Sequence, residues 1–130
     1  MNYRIYTSEE TKNVLIKMRD TTSITPNILA RYGIALSLKN VEPINLDILN
    51  FSNKGLELNR NVITSKYDHL FKALISQKEG RFLNDHEYFE QYLLAHIERG
   101  VKELYAEFQM AGNTEKFIKR LIAYEYGRDM

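Results

Sequence analysis

The sequence predicts an all-α, mainly helical chain with a short strand at its N-terminus. Three observations carry that reading. Apolar residues recur at spacings of three and four in five separate stretches. A residue suited to helix capping stands ahead of each stretch. A strand-forming alternation opens the chain at Tyr3-Arg4-Ile5-Tyr6. At 130 residues the chain fits one domain, residues 1–130, long enough to build a core without covalent staples.

After the strand, Thr7 and Glu10 have capping-box spacing, and Val14, Leu15 and Met18 give a first helix ending near Asp20. Thr21-Thr22-Ser23 favours a turn. Thr25-Pro26 reads as cap and first helical position, and Ile28, Leu29, Tyr32, Ala35 and Leu36 carry a second helix to about Leu38. Residues 39–54 break the period with Pro43 and five Asn or Asp, yet Ile44, Leu46, Ile48 and Phe51 supply anchors, so an ordered loop is expected. Gly55 to Arg60 reads as a short extended piece. Thr64 or Ser65 caps a third helix, through Tyr67, Leu70, Phe71, Leu74 and Ile75, which stops before Gly80.

The longest helix starts at Asn84 or Asp85 and runs to about Met110. Its stripe is Phe89, Leu93, Ile97, Leu104 and Phe108, with Gly100 inside it. Glycine costs about 1 kcal/mol against alanine in a helix interior, so Gly100 points to the close approach of another helix. Gly112-Asn113 breaks this element, and Thr114 caps a last helix with Phe117, Ile118, Leu121, Ile122 and Tyr126. Two apolar-rich C-terminal helices predict self-association.

Several chemistries are excluded. With no cysteine there is no disulfide, no thiolate catalysis and no Cys-ligated metal or cluster. No Gly-rich phosphate loop, Gly-x-Ser-x-Gly or dinucleotide fingerprint is present. His69, His86 and His96 form no metal-ligand pattern; His96, between Leu93 and Gly100, reads as a hydrogen-bonded packing residue. Glu87, Glu90, Glu98, Glu103 and Glu107 read as a solvated helix face, with Arg99 and Lys102 within ion-pair reach. No enzyme activity, metal or cofactor is expected. No apolar run reaches membrane-spanning length and residues 1–4 lack a signal-peptide pattern, so no membrane partner and a cytoplasmic location are expected.

Net charge is +1, but residues 1–81 hold 12 Lys and Arg against 8 Asp and Glu, while residues 82–130 hold 6 against 9. A basic front suits an anionic partner. The order strand, helix, turn, helix over residues 1–38 is that of a ribbon-helix-helix unit, in which strands from two chains pair and enter the major groove. A generic helical hairpin with an extended lead-in fits the same pattern. With Tyr3 and Ile5 inward, Asn2, Arg4 and Tyr6 point outward. The N-terminus of the second helix would offer the backbone N–H groups of Asn27 and Ile28 to a phosphate, Pro26 having none. Lys12, Lys17, Arg19, Arg31 and Lys39 decorate the two helices.

Three stretches in order resemble the DndE family. They are Ser23-Ile24-Thr25-Pro26-Asn27-Ile28 leading into Arg31-Tyr32-Gly33-Ile34-Ala35-Leu36-Ser37-Leu38, then Gly55-Leu56-Glu57-Leu58-Asn59-Arg60, then Leu94-Ala95-His96-Ile97-Glu98-Arg99-Gly100. The resemblance spans residues 1 to about 105 and leaves 106–130 as a C-terminal helical extension. It implies an accessory role in bacterial DNA phosphorothioation, where separate proteins donate sulfur, transfer it with ATP and supply an ATPase. It further implies a ribbon-helix-helix-like N-terminal unit followed by a helical bundle, homo-oligomers, and binding to double-stranded DNA, intact or nicked. It carries no catalytic residues. As a class, basic residues are its DNA-contacting groups: Lys12, Lys17, Arg19 and Arg31 on the helical pair, Arg60 in the second motif, and Arg4 on the strand; Asn27 joins them from the helix N-terminus read above. A structural adaptor that docks the larger enzymes, and a ribbon-helix-helix transcriptional regulator, are the rival expectations.

Overall fold

The predicted periodicities resolve into six α-helices and one two-stranded sheet in the computed structural model, which describes residues 2–125. Strand β1 spans Arg4–Ser8, followed by α1 (Glu9–Thr22) and α2 (Pro26–Lys39). A short 3-10 turn, Leu46–Leu49, punctuates the long loop, and β2 covers Lys54–Asn59. Next come α3 (Arg60–Ile63), α4 (Asp68–Glu79), α5 (Leu94–Ala111) and α6 (Thr114–Glu125). A π-helical segment, Glu87–Leu93, runs directly into α5. The strand–helix–helix order is therefore present, and the extended piece at residues 55–60 is a strand. Tyr126 lies outside the described residues.

The strand finds its partner within the chain. β1 pairs antiparallel with β2, Arg4 opposite Asn59, Ile5 opposite Leu58 and Tyr6 opposite Glu57, with an irregularity before Ser8 meets Lys54. Ile5 and Leu58 are buried as a cross-strand pair, which fixes the register. Tyr3 does not join them: it is 48% exposed, because the alternation starts inward only at Ile5.

Local signals place the helix ends with small shifts. The cap of α1 is Ser8, whose side chain accepts from the Thr11 N–H; Thr7 is still in the strand, where its hydroxyl accepts from the Leu56 N–H. Helix α4 begins at Asp68 rather than after Thr64 or Ser65, since a short helix and a 3-10 turn occupy residues 60–67. Asn84 and Glu87 exchange bonds: the Glu87 N–H donates to the Asn84 side chain, and the Asn84 N–H donates to the Glu87 carboxylate. Asn113, not Thr114, caps α6, accepting from the Lys116 N–H. Gly80 and Gly112 close α4 and α5 in left-handed conformations.

The core forms around α5. Met18 and Leu15 from α1, Leu29 and Ile34 from α2, Tyr88 and Phe89 from the π segment, and Phe117 from α6 are fully buried with Ile97, Val101 and Leu104. Helices α2 and α5 meet backbone to backbone. A Cβ on Gly100 would overlap the Gly33 carbonyl oxygen, and one on Gly33 would come 2.9 Å from the Val101 nitrogen. Close approach at Gly100 was the sequence expectation; its partner is Gly33.

Three buried polar groups pin the elements together. Glu98 is buried, against its reading as part of a solvated face. Its carboxylate accepts from the Ser8 N–H (2.9 Å), the Ser8 hydroxyl (2.6 Å) and the Thr11 hydroxyl (2.9 Å), so α5 holds the β1–α1 junction. Arg60 forks between Asp68 (2.7 Å) and Asp85 (2.6 Å), over the Phe89 ring at 4.6 Å. Burial alone would raise the Asp68 carboxyl, but hydrogen bonds from Arg60, Thr64 and Tyr88 hold it below the usual range. Finally, the Arg99 Nε–H donates to the Ser37 hydroxyl oxygen at 2.8 Å, which leaves the Ser37 proton for His96 Nδ1 at 2.7 Å. Burial, with the Arg99 and Lys78 charges, pushes the His96 imidazole down to about 4.

Gly100→Ala is expected to lower the unfolding free energy by about 2 kcal/mol in a denaturant titration. Overpacking costs about 1–3 kcal/mol and here strikes backbone, while the gain in helix propensity is only about 1 kcal/mol. Glu98→Ala should cost about 2–3 kcal/mol by the same measurement, because it strands donors that are out of water. His96 adds a pH dependence. The unfolded chain protonates it near pH 6.5, whereas the folded chain resists until about pH 4. Stability is therefore complete above pH 6.5 and falls as pH drops through that window, by about 3 kcal/mol in all. Between pH 6.5 and 5, the His96→Gln variant should show a shallower slope than the parent.

Candidate nucleic-acid interface

Of the predicted outward residues of β1, Arg4 and Tyr6 flank buried Ile5 as the pleat requires. Arg4 is mostly exposed and pairs with Glu57 across the sheet at 3.1 Å. Lys54 from β2 sits 4.8 Å from the Tyr6 ring centre. Arg4, Tyr6 and Lys54, together with Asn2, Phe51 and Glu90, line an open groove beside the sheet. Asn2 is tied down, donating to its neighbour Arg4 carbonyl and to the Glu90 carboxylate. The groove thus joins two cations and two aromatic rings to one carboxylate. Lys54 was not among the predicted contacts. Its nearness to Tyr6 depends on the β1–β2 pairing, which residue order alone does not reveal.

The cations of α1 divide between faces. Lys12 and Arg19 are seven residues apart, two turns, and share one face; Lys12 is half-buried and Arg19 exposed. Arg19 pairs with Asp20 at 3.0 Å. Lys17 is exposed on a different side, 5.7 Å from the ring centre of Tyr105 on α5. On α2, Asn27 and Arg31 are one turn apart and both half-buried. Thr25 makes no side-chain cap bond, and the first backbone bond of α2 runs from the Leu29 N–H to the Thr25 carbonyl at 3.0 Å. The N–H groups of Asn27 and Ile28 precede that bond at the helix's positive end. Arg31 lines a groove shared with α6.

Arg60 does not fit a phosphate contact. It is 5% exposed and its guanidinium is engaged by two aspartates and the Asn2 carbonyl. The hydrogen bond to Asp85 leads the effects that hold its proton more tightly than usual, against its own desolvation. The second sequence motif therefore ends in a structural residue. The seven nominated residues accordingly divide among the sheet groove, two faces of α1, the α2–α6 side and the interior. Among the described residues, no three His, Asp or Glu side chains gather in a metal-binding group, and no helix is long and apolar enough to cross a membrane.

The fold has solved counterparts. The crystal structure of DndE from Escherichia coli B7A, involved in DNA phosphorothioation modification, superposes with a TM-score of 0.58 at 21% identity, covering 78% of this chain and 96% of that one. A DndE G21/24K mutant involved in DNA phosphorothioation gives 0.56 at 23% identity, covering 79% and 97%. No curated protein matches. The family model described as DNA sulphur modification protein DndE matches residues 4–112, from the start of β1 to the end of α5. The chain belongs to the DndE family of DNA sulphur modification proteins.

Proposed function

We propose that this protein is a DNA-binding accessory subunit of a bacterial DNA phosphorothioate modification system, which performs no chemical step itself. The observation that carries the reading is the family match over residues 4–112, a span that contains all the nominated cations. Arg4, Lys12, Lys17, Arg19 and Arg31, joined now by Lys54, are its phosphate contacts; Arg60 serves the fold instead. Their role is to neutralise backbone charge without reading bases, so affinity comes from counterion release. A net charge of +1 supports binding only where these cations are concentrated on one side or summed over copies of the chain.

A second reading, a structural adaptor for the larger enzymes of the pathway, is favoured by the apolar groove between α2 and α6. A transcriptional regulator built on a two-chain ribbon would have to form it on the edge of β1 opposite β2.

Titrating the purified protein against intact and nicked duplex tests the first reading. If about four phosphates are neutralised, affinity should fall roughly 100-fold between about 50 and 200 mM salt. Reversing Lys12 and Arg19 together to Glu should weaken binding at least about tenfold at low salt, with thermal stability retained. Absence of binding to either duplex at low salt overturns this reading. Retention on the partner enzymes after nuclease treatment, without DNA binding alone, would favour the adaptor.

A further inference from the structure

An open groove of about 500 Å³ lies between α2 and α6. Ile28, Tyr32, Ala35 and Leu36 line it from α2 and Leu121 from α6. On α2 these positions recur at spacings of three and four, so they make one continuous apolar stripe. Ile28 is 39% exposed and Ala35 is exposed as well, so the stripe reaches solvent.

The charge of the groove is one-sided. Among the described residues, its charged lining residues are Arg31 and Lys39, with no acid beside them. At the Lys39 end it meets a second hollow bearing Glu103 and Glu107, so the surplus positive charge lies at the Arg31 end. There the Arg31 Nε is shielded from solvent and has no hydrogen-bond partner among the described residues. Arg31 as a whole is only half-buried, so a small turn of its guanidinium presents an unsatisfied donor to an incoming acceptor, and a guanidinium is best met by a carboxylate. The groove also straddles a boundary. α2 lies within the family match, which ends at residue 112, and α6 lies beyond it.

We propose that this groove seats an amphipathic α-helix of another protein, with its apolar stripe against α2 and α6 and a carboxylate on Arg31. A trough walled by two helices accepts a third by ridge-and-groove packing, with anchors at i, i+4 and i+7. A second copy of this chain seated through its own α6 offers Arg31 the weaker match: the exposed charged residues described on α6 are Glu115, Lys116 and Lys119, and Glu115 is already held by Lys119 at 3.3 Å. The inference does not rest on duplex binding: with Arg31 given to the partner's carboxylate, the phosphate contacts are Arg4, Lys12, Lys17, Arg19 and Lys54.

A labelled synthetic helix of about five turns, with Leu at i, i+4, i+7 and i+11 and one Glu beside the first Leu, is the probe. Its Glu→Gln twin is the control, and fluorescence anisotropy the readout. The Glu peptide should bind the full chain about tenfold more tightly than its twin. Arg31→Gln should erase that difference. Ala35→Trp, at an exposed position that leaves the core intact, should abolish binding of both peptides without changing duplex affinity. Equal binding of the twins, no binding of either, or binding unaffected by Ala35→Trp overturns the proposal. A lower assembly mass for Ala35→Trp in light scattering would assign the groove to a second copy and overturn it too. If Arg31→Gln weakens duplex binding but leaves the peptide untouched, Arg31 belongs to the nucleic-acid surface and the proposal fails while the duplex reading stands.

Discussion

The backbone contact between Gly33 and Gly100 is the constraint on which the other elements depend. Two helices cannot approach this closely unless both lack a side chain at the crossing. Once they do, the residues one turn away on each helix are brought into hydrogen-bonding range. Ser37, four residues after Gly33, meets His96, four residues before Gly100, and Arg99 closes the cluster. The Arg99 guanidinium continues to the Ser37 and Glu42 carbonyls, which ties the end of α2 and the following loop to α5. An apolar interface of the same area would hold the helices together but would leave their axial register less defined.

The same helix controls the sheet. A two-stranded sheet is marginal alone, and this one is secured at both ends by buried charge. Glu98 of α5 receives the end of β1 and the first turn of α1. At the other end, the Arg60 N–H donates to the Tyr3 carbonyl while its side chain gathers Asp68, Asp85 and the Asn2 carbonyl. Arg4, Tyr6 and Lys54 stand on the exposed surface of a strand pair whose position is set from beneath by these two anchors. Fixed presentation of cations favours phosphate contact, since less side-chain and backbone freedom is lost on binding.

Much of this was legible in the residue order because the signals are local. Helix periods, the Pro26 start, the Gly80 and Gly112 ends and the glycine inside the α5 stripe depend on neighbours within a turn or two. Where the reading slipped, a distant group intervened. Thr7 and Glu10 have capping-box spacing, yet Ser8 is the cap, since Thr7 remains in the strand with its hydroxyl on β2. Glu98 shares its spacing with solvated glutamates and is buried only because Ser8 and Thr11 arrive above it. Arg60 resembles any surface arginine until Asp68 and Asp85 are seen to converge on it.

The sequence by itself determined the class of the fold, the absence of thiol chemistry and the family, because composition, periodicity and ordered motifs are properties of the chain as written. Tertiary structure alone decided which strand pairs with β1, which cations remain at the surface and which are consumed by the core. It also decided that α6 closes a groove on α2. Those outcomes turn on contacts between residues from 8 positions apart, at Arg60 and Asp68, to 90, at Ser8 and Glu98, and such contact is governed by packing and burial rather than by any spacing along the chain.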